Sequence, residues 1–219
     1  MINTITIDTE TMDVQASAVI LSIGGFAFDI EDIDSVQDSI MEVVRNPELA
    51  DYSKSAFYGL VDTFGQLMQG RTVSAETQKW WIKQDEDAHE ALAGNREPLS
   101  QTLVNLSSWI QQHPGVRIFF RGTDFDGSIL ESAYRSCGLT YPWHFAGKRD
   151  VRTYIDAMVK GTKGYLPKTH QPCFATVKHH SLHDAMNDAE LVGPLTTPVI
   201  KHNDNPKLQR ILNDGSQTA

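Results

Sequence analysis

Cysteine is scarce and scattered. Cys137 and Cys173 are the only two in 219 residues and form no CxxC pair, so neither a disulfide framework nor a zinc cluster is indicated, and a reducing, intracellular compartment fits best. Positive charge is also in short supply, with 19 Lys and Arg against 28 Asp and Glu and a formal net charge of −9. That balance excludes a protein that wraps long stretches of duplex, because such affinity comes from neutralising many phosphates. Long hydrophobic runs are missing as well. The longest apolar-rich stretch, residues 19–28, is too short to cross a bilayer, and the opening MINTITIDTETM lacks the basic region and apolar stretch of a secretory signal. A soluble protein with no membrane contact, acting in the cytoplasm, is expected.

What is present suffices for a core. At 40% hydrophobic content the chain can bury one domain without staples, and residues 1–205 are expected to fold as a unit, with residues 206–219 as a flexible tail. No internal repeat is apparent. Residues 4–10 alternate as a strand, and residues 19–28 read as a second, more buried strand joined to it by TMDVQAS. A helix-like SIMEVVRN and a possible third strand around residues 56–61 follow. Helices are expected over 74–93, with Ser74 as N-cap, and over 100–112, followed by a short strand at 116–120. Further helices are read near 125–137, 150–159 and from about 182, with a Gly/Lys/Pro-rich loop over 160–173 before the last. Strands followed by interleaved helices predict an α/β fold, a mixed sheet covered by helices.

Three signals carry chemistry. Strand alternation projects Asp8 and Glu10 from one face, where their repulsion is relieved by a cation bound through oxygen ligands, although an exposed strand can carry such a pair by chance. In RGTDFDGSILESAY, helical geometry gathers Phe125, Ile129, Leu130, Ala133 and Cys137 on an apolar face with Asp126 near its centre. A carboxylate aimed inward must be hydrogen-bonded, bound to metal or paired, as with a buried arginine, whereas Asp124 points away and suits an N-cap. In HHSLHDAMNDAELV, Ser181 and Asp184 have the spacing of a capping box, which gives Asp184 a structural task and leaves Asp188 as the better ligand. His183, five residues before Asp188, would then sit at the mouth of the site, where a neutral imidazole can take a proton from water; His179 and His180 stand close by.

Taken in order, Asp8-x-Glu10, Phe125-Asp126 and His183-x4-Asp188 resemble the three motifs of the DEDDh 3′-5′ exonucleases, on the ribonuclease-H-like fold. Within that superfamily the chain is similar to the phage exonuclease A and exodeoxyribonuclease VIII group, through Ile7-Asp8-Thr9-Glu10-Thr11-Met12, Ile20-Leu21-Ser22-Ile23-Gly24, Gln78-Lys79-Trp80-Trp81, Phe125-Asp126 with Ile129-Leu130, and Arg149-Asp150-Val151-Arg152-Thr153. The similarity runs over residues 4–192.

The resemblance implies a mixed sheet flanked by helices and hydrolysis of nucleic acid from the 3′ end to nucleoside 5′-monophosphates. It further implies two Mg²⁺ or Mn²⁺ ions held by Asp8, Glu10, Asp126 and Asp188, with His183 as general base. DNA and RNA ends stay open as substrates, single-stranded ends being favoured, and the setting implied is a phage protein in a bacterial cytoplasm. Arg121-Gly122-Thr123 stands where this group usually has Gly-Asn-Gly, which bears on substrate contacts. Thr11 and Met12 are candidates for the terminal sugar and base, and Arg149 and Arg152 for a phosphate, each against simple packing or surface pairing. Of the tandem Trp80 and Trp81, adjacent on a helix, at least one must be buried, so core is favoured over a base-stacking platform. The alternative to an enzyme is a catalytically weak nucleic-acid or nucleotide-binding module on the same fold.

Overall fold

The structure is a computed structural model, and it describes residues 1–46, 54–159 and 172–193. The expected tail, and residues 160–171 of the expected loop, lie outside the described residues. Strand β1 (Thr4–Thr11) turns Ile5 and Ile7 to one face of the sheet and Thr6, Asp8 and Glu10 to the other, as the alternation requires. Strand β2 (Ile20–Phe28) pairs with it antiparallel, setting Gly24 opposite Asp8, and β3 (Ala56–Leu60) pairs antiparallel with β2. Strands β4 (Arg117–Phe120) and β5 (Lys148–Asp150) add in parallel on the other side of β1, giving the order β3-β2-β1-β4-β5.

Helices cover both faces. Outside β1, the helices α1 (Ile33–Arg45), α7 (Val151–Val159) and α8 (Ser181–Val192) bury Val36, Ile40, Ile155, Leu182 and Met186 against Phe26 and Phe119. On the other face α5 (Leu99–Gln111) and α6 (Ser128–Ser136) bury Leu103, Leu106, Ile129 and Tyr134 against Ile5, Ile7 and Phe120. The predicted mixed sheet flanked by helices is therefore present. One short helix, α2 (Thr63–Met68), went unforeseen, and the single helix expected over 74–93 is broken into α3 (Ala75–Trp81) and α4 (Glu86–Ala91). Ser74 caps α3 through Thr77 N–H, as expected. The break is stabilised by His89, whose Nε2 lies 2.8 Å from the carbonyl oxygen of Trp81 at the end of α3. Asp150 accepts the Thr153 N–H at 2.7 Å and caps α7.

One contact sets the position of α8. Its first turn lies on β2 so closely that a side chain at Gly24 would collide with the Ser181–Leu182 peptide, and the Ser22 and Ser181 hydroxyls meet at 3.0 Å beside it. One turn on, the Thr6 hydroxyl donates to the Ala185 carbonyl at 2.7 Å in the buried interior. Ser181 is thus the first helical residue with its hydroxyl spent on β2, and the N-cap residue is His180, whose side chain makes no capping hydrogen bond, which corrects the expectation that Ser181 caps the helix. Gly24→Ala should displace the helix start and cost about 2 kcal/mol or more in urea unfolding, because backbone cannot yield as a flexible side chain can. A midpoint within the error of the wild type would show that α8 docks more loosely than this.

Candidate active site

A cavity of about 600 Å³ opens where β1 and β4 end. Strand β1 brings Asp8 and Glu10 to its floor, confirming that both project from the face that α8 covers. Strand β4 pairs with β1 only as far as Ile7, so the Thr9 N–H has no neighbouring carbonyl to bond. Asp126 takes that place. Its Oδ1 accepts both the Thr9 N–H at 3.1 Å and the Thr9 hydroxyl at 2.7 Å, and the residue is 3% exposed. Asp126 sits on a π-helical turn, Thr123–Gly127, that leads into α6. Gly122 opens the turn at φ 125°, a conformation that L side chains rarely adopt. Asp124 is exposed, as expected, although the turn begins before it and it caps nothing.

The third segment departs from expectation. Asp184 and His179 line the cavity, whereas His183 and Asp188 do not. Ligand atoms of Glu10, His179 and Asp184 all lie within 4.8 Å of one another, and the His179 Nδ1 is 3.9 Å from Glu10 Oε1. His179 is held in the left-handed region at φ 61°, with the Trp80 ring edge-on at 4.6 Å. His183 is turned away: its Nδ1 accepts the Val177 N–H at 3.0 Å, and its ring stacks on His180 at 4.2 Å. Asp188, 2% exposed, is ion-paired to Arg121, whose Nε donates to its Oδ1 at 2.7 Å. The buried arginine partner considered for Asp126 therefore belongs to Asp188.

Softer expectations divide in the same way. Thr11 and Arg152 line the cavity, and Arg152 Nη1 also donates to the Arg121 carbonyl at 2.7 Å. Met12 packs on Leu21 and Trp81 instead, and Arg149 is exposed, donating to the Ala146 and Lys148 carbonyls. Trp81 is buried, with its indole N–H on the Thr11 carbonyl at 2.9 Å, while Trp80, 41% exposed, lines the cavity. Only one of the two tryptophans is core.

Electrostatics make the site expensive to form. Burial pushes Glu10 up to about 8, with the charges of Asp184 and Asp126 adding to it. Burial likewise lifts Asp126 to about 7 against the opposing Thr9 hydrogen bonds, and Asp184 to about 6, with Asp188 adding to the rise. Asp8 is raised well above the carboxylate range by burial and by Asp126 and Glu10. Burial lowers His179 from its usual value, so its ring is neutral near pH 7. Oxygen donors converging at such a cost fit a hard divalent cation, which relieves the repulsion that raises them.

These shifts predict a pH dependence of stability. Acids whose folded-state values are raised favour folding below their unfolded values, near 4, and that contribution is lost as pH rises through the folded values of about 6 to 8. His180, pushed down to about 4, and His113, His179 and His183, all lowered by burial, work the other way below the usual imidazole value, so the melting temperature in EDTA should fall between pH 7 and pH 8. Mn²⁺ should raise it more at pH 8 than at pH 5. An EDTA melting temperature that climbs through this window would contradict the burial of the cluster.

Comparison with known proteins agrees with this geometry. Residues 3–195 match the family described as the 3′-5′ exoribonuclease Rv2179c-like domain. The chain is similar in fold to the nuclease domain of 3′hExo, a DEDDh family member solved bound to rAMP, at 11% identity and a TM-score of 0.55 over 89% of this chain and 92% of that one. It is also 57% identical over 47 residues to an Escherichia coli K12 protein described as prophage excisionase-like, a match covering 22% of this chain and 58% of that relative. No helix among the described residues is long and apolar enough to cross a membrane. With a family match over most of its length, the chain belongs to the Rv2179c-like 3′-5′ exoribonuclease domain family.

Proposed function

We propose that the chain removes nucleoside 5′-monophosphates from single-stranded 3′ ends at this cavity, with Asp8, Glu10, Asp126 and Asp184 as metal ligands and His179 as general base. The observation that carries this assignment is the convergence of those five side chains on one cavity from three separate segments. The third motif thereby moves by one helical turn from the register first expected. His179-x4-Asp184 and His183-x4-Asp188 have the same spacing, and the first pair alone lines the cavity. Two Mg²⁺ or Mn²⁺ ions bound to these carboxylates would polarise the scissile phosphate, activate the attacking water and neutralise the departing 3′-oxygen.

The chain's own residues do the rest. Thr9 fixes the orientation of Asp126 through two hydrogen bonds to one oxygen, so that carboxylate needs no reorganisation when a ligand arrives. His179 is neutral and borders the cavity beside Glu10, where its ring can take the proton of water as the phosphate is attacked. The exposed face of Trp80 and the ring of Phe125 offer apolar wall to a base or sugar. RNA is the substrate favoured, since the matching family is described as exoribonuclease and the fold neighbour was solved with a ribonucleotide. A phage-borne enzyme working in a bacterial cytoplasm suits the similarity to a prophage protein.

The test uses 5′-labelled and 3′-labelled RNA and DNA strands with Mn²⁺, alongside two variants. Mononucleotides should appear first from the 3′ label, faster on RNA, and vanish in EDTA. His179→Ala should lower kcat by roughly 10² to 10⁴, the usual worth of a positioned base. His183→Ala, which loses a brace on the neighbouring loop, should lower the melting temperature and keep kcat within about tenfold, as suits a residue outside the chemistry. The reverse ranking of the two histidines would return the third motif to His183 and Asp188.

A further inference from the structure

A pocket lined by carboxylates attracts cations and repels the phosphate that it must admit. Two side chains of opposite sign stand on its wall, Arg121 directly after β4 and Arg152 on α7. Arg152 is exposed, but Arg121 is largely sequestered, with 25% side-chain exposure, and is locked in place. Its Nε and Nη2 both donate to a single oxygen of Asp188, Oδ1, so the fork is anchored from one side. No described residue hydrogen-bonds its Nη1. The guanidinium also feels Asp8 and Asp184, which places its charge beside the metal-binding carboxylates. Asp188 itself does not reach the cavity.

A buried ion pair of this kind is a poor stabiliser, since desolvating both partners offsets most of their attraction. Its one geometric product is a guanidinium that cannot swing away, set at the edge of a cavity that takes phosphate. We infer that Arg121 is a phosphate-binding residue of the active site, that its free edge receives a non-bridging oxygen of the phosphate being cleaved or released, and that Asp188 is the positioning residue that aims it. The inference rests on the exonuclease reading of the cavity. Planar guanidinium suits this task better than a lysine, because its donors are preorganised toward phosphate oxygens.

The test is calorimetric and needs no turnover: binding of adenosine 5′-monophosphate and of adenosine to the full chain with Mn²⁺ present. Arg121→Gln should weaken monophosphate binding about tenfold, the loss of one charge-assisted contact, and leave adenosine binding unchanged. Because that variant strands the Asp188 carboxylate in the interior and can unfold the chain, the pair Arg121→Gln with Asp188→Asn removes both charges together. The double variant should melt close to the wild type and show the same selective loss. Asp188→Asn alone should show a smaller loss, with a raised KM for oligonucleotide and a lesser change in kcat. A folded double variant that binds the monophosphate like the wild type overturns the inference and leaves the pair structural. Failure of the wild type to release mononucleotides would instead count against the exonuclease reading, and the binding comparison would still decide the role of Arg121.

Discussion

Repulsion among buried carboxylates is the constraint around which this fold is arranged. Asp8, Glu10, Asp126 and Asp184 are all raised by burial, Asp8 and Glu10 further by other members of the group and Asp126 and Asp184 by Asp188, and left to themselves they would separate or take up protons. They are prevented from separating by rigid supports of different kinds. Asp8 and Glu10 ride on the central strand, paired with β2 along its length and with β4 as far as Ile7. Asp126 is tied to Thr9 at the point where the parallel ladder with β4 runs out. Asp184 is carried by a helix whose first turn rests on Gly24 without room for a methyl group. The protein thus spends folding stability to hold a charge distribution that only a cation satisfies, a common origin of strain at functional sites.

Much of this was legible in the sequence for simple reasons. Strand alternation placed Asp8 and Glu10 on one face, and the apolar helix phase separated inward Asp126 from outward Asp124, because both arguments depend only on local periodicity. The mixed sheet and its helical cover followed from the order of apolar segments. The third motif was ambiguous because His-x4-Asp occurs twice, four residues apart, and a helix puts residues four apart on nearly the same face. Choosing between the two required knowing where the helix begins. Ser181 looked like a cap, but its hydroxyl is engaged by Ser22, a contact between residues 159 positions apart in sequence. His179 precedes the helix in a left-handed conformation that no local pattern announces.

Arg121 illustrates a related limit. Its departure from the usual residues of the resembled group was visible in the sequence, yet its partner was not, since β4 and α8 meet only in the folded chain. The carboxylate favoured as a ligand, Asp188, is the one the arginine neutralises. Of the two aspartates on one helix, Asp184 thus lines the cavity and Asp188 is paired with Arg121 outside it.

The most direct measurement is a calorimetric titration of Mn²⁺ into the wild-type chain, Asp184→Asn and Asp188→Asn at pH 8. The account predicts two ions bound by the wild type, loss of at least one in Asp184→Asn, and retention of both in Asp188→Asn. Two ions in Asp184→Asn together with a lost site in Asp188→Asn would contradict it.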